Sequence, residues 1–196
     1  MKVRGGKYRG ARLKMESGRK IRPATSRVKT SVFDILPMDL SDRAVLDLFA
    51  GSGALGIEAL SRGAPGALFV DQSRKSAELI KANLAKLGCS DQAGVINKRV
   101  STALNQLSLE GARFDLVFVD PPFDQDLAGK TLAQLESAGI LNEDAIVVAR
   151  TSTREQVGDH YGALQLKDRR KYGDSVVSFY EEKISQNPAA PSEKIL

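Results

Sequence analysis

From residue 44 to residue 150, short apolar stretches alternate with amphipathic ones, and this alternation restricts the chain to few folds. Apolar runs such as 44–49 and 114–120 predict buried β-strands. Because strands separated by helices pair in parallel, we predict a parallel sheet covered by helices on both faces. Further strands are predicted at 67–71, 93–98 and 145–150, with helices at 54–63, 73–88, 100–107 and 126–139.

The two ends of the chain break this pattern. Residues 163–183 read as two strands joined by a turn near Gly173 and Asp174, which predicts an antiparallel hairpin closing the sheet. At the other end, glycines in the first 18 residues indicate a short β-hairpin. A helix follows, capped by Thr25 or Ser26 and ended by Pro37. We predict a basic hairpin-and-helix extension at 1–37, an α/β domain at 38–183 and a disordered tail at 184–196.

Positive charge is concentrated at the N-terminus. Residues 1–33 carry eleven Lys or Arg against the single acid Glu16, whereas the other 163 residues carry 18 basic and 23 acidic groups. This asymmetry favours a nucleic-acid-binding arm over a tail that only aids solubility. Tyr8, between Lys7 and Arg9, is placed to stack on a base while the cations contact phosphates.

The sequence gives little support to a disulfide-bonded, metal-binding or membrane protein. Cys89 is the only cysteine, so no internal disulfide forms, and we expect it to be a buried apolar side chain in a reducing cytoplasm. His160 is the only histidine and reads as a solvated loop residue, so no metal site is predicted. No apolar run is long enough to cross a bilayer, and we expect no membrane partner.

Three predicted strands end in residues suited to chemistry at the carboxyl edge of the sheet, where ligands bind in open α/β folds. The first strand contains Asp47 and leads into the loop Ala50–Gly51–Ser52–Gly53, where glycines admit a ligand close to the backbone. The second ends at Asp71, which can accept hydrogen bonds from ribose hydroxyls. The fourth ends in Asp120, Pro121, Pro122 and Phe123.

Each feature also has a purely structural explanation. Glycine-rich turns recur for packing reasons, Asp71 could cap the helix near Ser73, and Asp-Pro-Pro could be a stiff turn. Their joint placement at the ends of strands one, two and four favours a functional site.

The Asp-Pro-Pro-Phe residues suit the activation of an exocyclic amine on a nucleobase. The amine lone pair is delocalised into the ring, so the amine is a poor nucleophile. The Asp120 carboxylate and the Pro121 carbonyl can accept its two N–H groups and direct the lone pair at a methyl group on a sulfonium. Pro122 stiffens the turn, and Phe123 offers a face on which the base stacks.

Taken together, these segments resemble the bacterial RsmD family of class I S-adenosylmethionine-dependent methyltransferases, which modify N2 of a guanine in 16S ribosomal RNA. The resemblance runs in order through RGGKYRGARL, RPATSRVKTSVFDIL, LDLFAGSGALGIEALSRGA, FVDPPF and RRKYGDSVVSFY. It implies a seven-stranded sheet ending in an antiparallel hairpin, S-adenosylmethionine as cofactor, and ribosomal RNA or the small subunit as partner. We further expect a cytoplasmic monomer.

The resemblance also implies roles for individual residues. Residues Asp47, Ala50, Gly51, Ser52 and Gly53 would line the methionine side of the cofactor, Asp71 would bind the ribose, and Asp120, Pro121, Pro122 and Phe123 would hold the amine. RNA contacts would come from Arg4, Lys7, Tyr8, Arg9, Arg22, Thr25 and Arg27. Ser26 and Thr30 stand where the family usually has acids. Arg99 cannot accept from the adenine amine, which leaves that contact to Asn97 or another acceptor.

Two alternatives remain open at this stage. An adenine-N6 methyltransferase acting on DNA or RNA would need the same acceptor geometry, and a non-catalytic RNA-binding assembly factor could keep the fold. A dehydrogenase follows only if the glycine loop is considered alone.

Overall fold

The computed structural model describes residues 1–15 and 23–183, with the backbone alone for residues 23–27. The predicted tail at 184–196 and Arg22 therefore lie outside the described residues, as do the side chains of Thr25 and Arg27. None of the helices within the described ranges has the length and apolar composition needed to span a lipid bilayer.

Eight strands and five α-helices are formed by these residues. The strands are β1 (Val45–Leu48), β2 (Ala67–Val70), β3 (Ala93–Ile96), β4 (Phe114–Val119), β5 (Leu141–Ser152), β6 (His160–Tyr161), β7 (Leu164–Tyr172) and β8 (Ser175–Glu182). The helices are α1 (Pro23–Ile35), α2 (Ala54–Ser61), α3 (Arg74–Leu87), α4 (Val100–Leu109) and α5 (Leu127–Ser137), with a 3₁₀ turn at Ser90–Gln92.

All eight strands form one sheet in the order β3-β2-β1-β4-β5-β8-β7-β6. The strands β1 to β5 pair in parallel, and β8, β7 and β6 extend the sheet in antiparallel pairs. The α/β fold and its terminal hairpin, which turns at Gly173 and Asp174, are confirmed. The predicted strand number was one too low, because His160 and Tyr161 form a strand of two residues, too short to give a periodic pattern.

Side chains that alternate along the central strands enter two separate apolar layers. Leu116 and Phe118 of β4 face the layer under α1, α2 and α3, whereas Val117 and Val119 face the layer under α4 and α5. Cys89 is buried in the first layer, as predicted. Both faces of the sheet are therefore covered, which is the arrangement expected for parallel strands.

The start of α1 differs from the prediction. The helix already begins at Pro23, so Thr25 and Ser26 lie inside it rather than at its cap. Proline suits the first helical position because its φ angle is preset and its missing N–H would have no intrahelical partner there.

Residues 1–15, which we call the N-terminal arm, fold back on themselves and pack onto the body. One antiparallel bridge joins Lys2 to Arg12, in agreement with the predicted hairpin. Val3 and Leu13 are buried in the same apolar layer as α1 and α2. The arm thus shares its core with the sheet, and the proposed domain boundary at residue 37 stays a prediction.

A buried ion cluster fixes the arm to α2. The Glu58 side chain is fully buried and accepts hydrogen bonds from the backbone N–H groups of Arg4 and Gly5. Lys29 of α1, itself 3% exposed, donates to Glu58 at 2.7 Å, and Arg62 lies 3.3 Å from the other carboxylate oxygen. One carboxylate therefore joins the arm, α1 and α2.

Glu58→Gln should lower the free energy of unfolding by about 3–5 kcal/mol, because it leaves Lys29 charged and buried without an ionic partner. Chemical denaturation at pH 7 measures this loss. A Lys29→Met/Glu58→Gln double variant should lose less than the sum of the two single changes. Additive losses would contradict the coupling.

The same cluster predicts how stability depends on pH. Burial alone would raise the pKa of Glu58, but the charge of Lys29 and the hydrogen bonds from Lys29, Arg4 and Gly5 lower it overall. Glu58 therefore binds a proton more readily in the unfolded chain than in the folded protein, and its ionised form contributes to the free energy of unfolding at neutral pH. This contribution is lost as pH falls below the ordinary glutamate pKa of about 4.3. Glu58→Gln should flatten that acid limb of the stability curve.

Candidate active site

The register of three parallel strands brings the predicted site residues to one edge of the sheet. Leu48, the last residue of β1, pairs with Val70 of β2 on one side and with Val119 of β4 on the other. Asp71 and Asp120 each follow one residue later. The loop after β1 therefore lies between these two carboxylates, as the sequence predicts.

The glycine loop leaves β1 through left-handed backbone conformations. Gly51 has φ 58° and Gly53 has φ 75°. A Cβ on Gly51 would meet only the Phe49 carbonyl oxygen, 3.9 Å away, so this position opens onto free space above the strand ends. Gly56 serves packing instead, since a Cβ there would lie 2.4 Å from the Phe69 ring. Gly51 therefore suits a ligand, whereas Gly53 suits packing as Gly56 does, since a Cβ on Gly53 would lie 3.2 to 3.3 Å from the Phe69, Ile57 and Ile80 side chains.

Asp71 supports the loop and the following helix together. Its Oδ2 accepts from the Gly51 N–H at 2.8 Å, and its Oδ1 accepts from the Ser73 N–H at 2.8 Å. Ser73 in turn caps α3 by accepting from the Ser76 N–H. Asp71 therefore does support the start of α3, as its purely structural explanation requires. Each carboxylate oxygen keeps a second lone pair with which it can accept from a ligand hydroxyl.

Asp47 lies beneath the loop rather than beside it. Its side chain is 1% exposed and Oδ2 accepts from the Gly56 N–H at 2.9 Å, which fixes the start of α2. Burial raises the pKa of Asp47 well above its ordinary value, the hydrogen bond from Gly56 opposes this, and the charges of Asp120 and Asp71 add to the rise. Within the part of the chain that the structure describes, no cation pairs with Asp47, so an incoming positive charge would stabilise its ionised form.

Arg150 contacts both Asp120 and Phe123 of the Asp-Pro-Pro-Phe segment. β4 and β5 are in register at Val119 and Ala149, so Asp120 and Arg150 follow side by side. The Arg150 Nε–H donates to Asp120 Oδ1 at 2.6 Å, and the guanidinium carbon lies 4.8 Å from the centroid of the Phe123 ring. One planar cation thus binds the carboxylate and covers the aromatic face.

The turn that follows Phe123 is attached to the end of β5. Asp124 has φ 60° and accepts from the Ser152 hydroxyl at 2.8 Å and from Arg154. Glu155 Oε1 accepts from the backbone N–H groups of Gln125 and Asp126, at 3.0 and 3.1 Å. These contacts hold a left-handed backbone that non-glycine residues seldom adopt, and they fix the turn that presents Phe123.

The predicted RNA-binding residues of the arm are placed at the surface, with one exception. Arg4, Lys7 and Arg9 are exposed. Tyr8 is half-buried against the core, its hydroxyl is enclosed, and Lys7 Nζ lies 5.4 Å from its ring centroid. Tyr8 therefore packs against the body, and its stacking on a base stays a prediction.

Comparison with known proteins agrees with this geometry. A family described as conserved hypothetical protein 95 matches residues 1–181. The chain belongs to this family. The protein from Escherichia coli K12 named ribosomal RNA small subunit methyltransferase D is 39% identical over 147 residues, which cover 75% of this chain and 72% of that protein. The resemblance to the RsmD family is therefore confirmed.

Two further comparisons extend the likeness over nearly the whole chain. The Bacillus subtilis protein YlbH, whose name describes an rRNA methyltransferase, is 33% identical over 93% of this chain and all of its own length. The solved structure of Escherichia coli yhhF, described as a methyltransferase, superposes with a TM-score of 0.82 at 33% identity and covers 93% of this chain and 98% of that one. The fold of this RsmD-family chain is that of the class I methyltransferases.

Sequence reasoning missed Arg150 and the contacts of Asp124. Arg150 is the last residue of the strand predicted at 145–150. Its place beside Asp120 depends on the register between β4 and β5. The sequence does not specify that register, because the length of the crossover between the two strands does not fix it. The attachment of Asp124 to Ser152 has no local sequence signal, because the two residues are 28 positions apart.

The raised pKa of Asp47 predicts a cost to stability at high pH. The folded protein holds this proton to a higher pH than the unfolded chain, so the unfolding free energy falls as pH rises from the unfolded pKa through the folded one. Asp47→Asn keeps an acceptor for the Gly56 N–H and carries no charge. We expect this variant to gain stability relative to the original protein between about pH 4, the ordinary pKa of aspartate, and pH 8, as measured by thermal or chemical unfolding. A stability difference that is the same at both pH values would contradict the account.

Proposed function

We propose that this protein transfers a methyl group from S-adenosylmethionine to the exocyclic N2 amine of a guanine in the 16S RNA of the small ribosomal subunit. Membership of the RsmD family and the name of the Escherichia coli relative support a methyltransferase of small-subunit ribosomal RNA. The choice of the guanine N2 amine rests on the chemistry of the Asp120 site. The sequence resemblance to the RsmD family supports the same choice.

The cofactor is S-adenosylmethionine, the methyl donor of class I methyltransferases, and the residues at the carboxyl edge suit it. Gly51 leaves space above the loop for the methionine portion, and Asp71 offers acceptors for two ribose hydroxyls. Asn97 donates through Nδ2 to the Asp71 carbonyl at 2.9 Å, so its amide oxygen remains an acceptor for the adenine amine. The positive charge of the bound cofactor would favour the ionised form of Asp47, which lies buried beneath the loop.

The observation that carries the choice of substrate is the position of the Arg150 guanidinium. Guanine contains a planar N1–C2–N3 unit with the amine on C2, which has the same arrangement of atoms as a guanidinium. A carboxylate and an aromatic face that bind a guanidinium are therefore complementary to this edge of guanine. The incoming base would displace Arg150 from Asp120 and take its place over Phe123.

The proposed chemistry needs acceptors more than it needs a strong base. When bound, the cofactor supplies an electrophilic methyl group on a sulfonium. Asp120 and the Pro121 carbonyl accept the two N–H groups of the amine and turn its lone pair out of conjugation with the ring. Formation of the new N–C bond leaves the nitrogen with an extra proton, and Asp120 is the carboxylate placed to take it. Most of the rate enhancement then comes from proximity and alignment.

The RNA would be held by the exposed cations of the arm. Lys2, Lys7, Arg9, Arg12 and Lys14 all lie at the surface of the arm, whereas Lys29 is buried in its ion pair with Glu58. Contacts of such groups with phosphates make binding weaken as salt rises. Extruding the target guanine from a helix would cost a few kcal/mol, and less from a loop.

The test is methyl transfer from labelled S-adenosylmethionine to small-subunit RNA from a strain that lacks this protein. The RNA is presented naked and as purified small subunits, digested, and its nucleosides separated. We expect label in N2-methylguanosine. Label in N6-methyladenosine would replace this proposal with the adenine alternative, and bound cofactor without any transfer would favour a binding role.

Asp120→Ala should reduce kcat by about 10- to 100-fold, the loss expected when a charge-assisted hydrogen bond of about 1.5–3 kcal/mol is missing from the transition state. Affinities for cofactor and RNA should change little, because other residues supply most of those contacts. The matched control is Asp126→Asn, which keeps the exposed turn and its left-handed backbone and should retain full kcat. Equal losses of kcat in both variants would show that the conformation of the turn, and not the Asp120 carboxylate, determines the rate.

A further inference from the structure

One buried side chain joins the N-terminal arm to the cofactor loop. Asn83 lies in α3 and is fully buried. Its Oδ1 accepts from the Lys14 N–H at 2.7 Å, and its Nδ2 donates to the Lys14 carbonyl at 3.1 Å. The same Nδ2 donates to the Ser52 carbonyl at 3.0 Å. A single amide therefore contacts the last part of the arm and the centre of the glycine loop.

The glycine loop is supported at two of its residues from opposite sides. Asp71 binds the Gly51 N–H, and Asn83 binds the Ser52 carbonyl. Left-handed glycines flank Ser52, so the loop has little intrinsic preference for one conformation. The orientation of the Ser52 peptide thus depends on the Asn83 amide, and the Asn83 amide is oriented by Lys14.

An amide is the group that this position requires. The Lys14 N–H needs an acceptor and the two carbonyl oxygens need donors, which a carboxylate cannot supply and an apolar side chain cannot replace. Burial makes each lost partner costly, because water does not take its place. The three hydrogen bonds at Asn83 therefore act as one connection.

We propose that Asn83 is a positioning residue for the cofactor loop and that it makes cofactor affinity depend on how the N-terminal arm is seated. This inference rests on the proposed cofactor site. RNA that binds the arm then stabilises the conformation of the loop that binds the cofactor, and the two ligands bind with positive cooperativity. By linkage, the cofactor raises RNA affinity by the same factor.

The experiment measures the Kd of S-adenosylhomocysteine by calorimetry, with and without small-subunit RNA from a strain lacking this protein. Asn83→Ala should raise that Kd by about 5- to 10-fold, as expected for the loss of one or two buried hydrogen bonds. It should also bring the cooperativity factor close to one. In turnover, KM for S-adenosylmethionine should rise while kcat at saturating cofactor stays within about twofold, since Asn83 does not touch the reacting atoms.

A second pair of variants separates the Lys14 N–H, one of the two Lys14 groups that Asn83 binds, from the Lys14 side chain. Lys14→Pro deletes the N–H that Asn83 accepts and leaves the hydrogen bond from Asn83 to Ser52 in place. Lys14 does not have a positive φ, so a left-handed backbone does not exclude proline there. Lys14→Ala keeps the N–H and removes only the exposed side chain. In the absence of RNA, we expect Lys14→Pro to weaken cofactor binding about threefold or more and Lys14→Ala to leave cofactor binding unchanged.

The outcomes separate this inference from the function on which it rests. An unchanged cofactor Kd in a folded Asn83→Ala protein would overturn it, and so would equal values for Lys14→Pro and Lys14→Ala. If Asn83→Ala fails to fold, the comparison of cofactor Kd between Lys14→Pro and Lys14→Ala tests the inference in its place. A wild-type protein that binds no S-adenosylhomocysteine would overturn the proposed function and this inference with it.

Discussion

The parallel pairing of β2, β1 and β4 in one register determines where the residues of the candidate site lie. Because Leu48, Val70 and Val119 end their strands at the same level, the next residues of all three strands meet at one edge of the sheet. The central strand supplies the glycine loop, and its two neighbours supply Asp71 and Asp120. A shift of one residue in either pairing would move a carboxylate to the other face of the sheet. The two apolar layers that cover the sheet prevent such a shift.

A second set of constraints ties the N-terminal arm to this edge. Glu58 anchors the start of the arm to α1 and α2, and Asn83 anchors its last part to the glycine loop. Both side chains are fully buried and act on backbone groups of the arm. The exposed cations of the arm are thereby carried by a rigid segment rather than a loose tail. In the proposed function, that segment sets the orientation of the RNA relative to Asp120.

Local patterns in the sequence predicted most of the fold. Each central strand and helix lies within a few residues of its predicted place, since alternation and periodicity are local properties. The Ser73 cap and the left-handed Gly88 at the end of α3 agree with the predicted bounds of that helix. The strand β6 was missed because two residues are too few to show a periodic pattern. The helix α1 starts three or four residues earlier than expected, because Pro23 is its first residue instead of preceding its cap.

The contacts inside the site could not be predicted in this way. The most distant hydrogen-bond partners of Arg150, Asn83 and Glu58 lie 30, 69 and 54 positions away in the chain. Their roles depend on the relative placement of whole elements, which no local pattern specifies. The sequence also predicted Tyr8 as a stacking platform, whereas its ring packs against the body and its RNA contact remains untested. Motifs identified the groups that we propose to carry the chemistry, and packing decides what each of them contacts.

The most direct test of the central claim follows the Arg150 side chain as substrate binds, by ¹⁵N NMR of its Nε–H group. The protein is saturated with S-adenosylhomocysteine and mixed with an RNA fragment that carries either guanosine or inosine at the methylated position. Inosine lacks the N2 amine but keeps the rest of the base. If the amine replaces Arg150 at Asp120, the Nε–H resonance shifts with the guanosine RNA and stays near its free position with the inosine RNA. An unchanged resonance with bound guanosine RNA, or the same shift with both RNAs, would contradict the account.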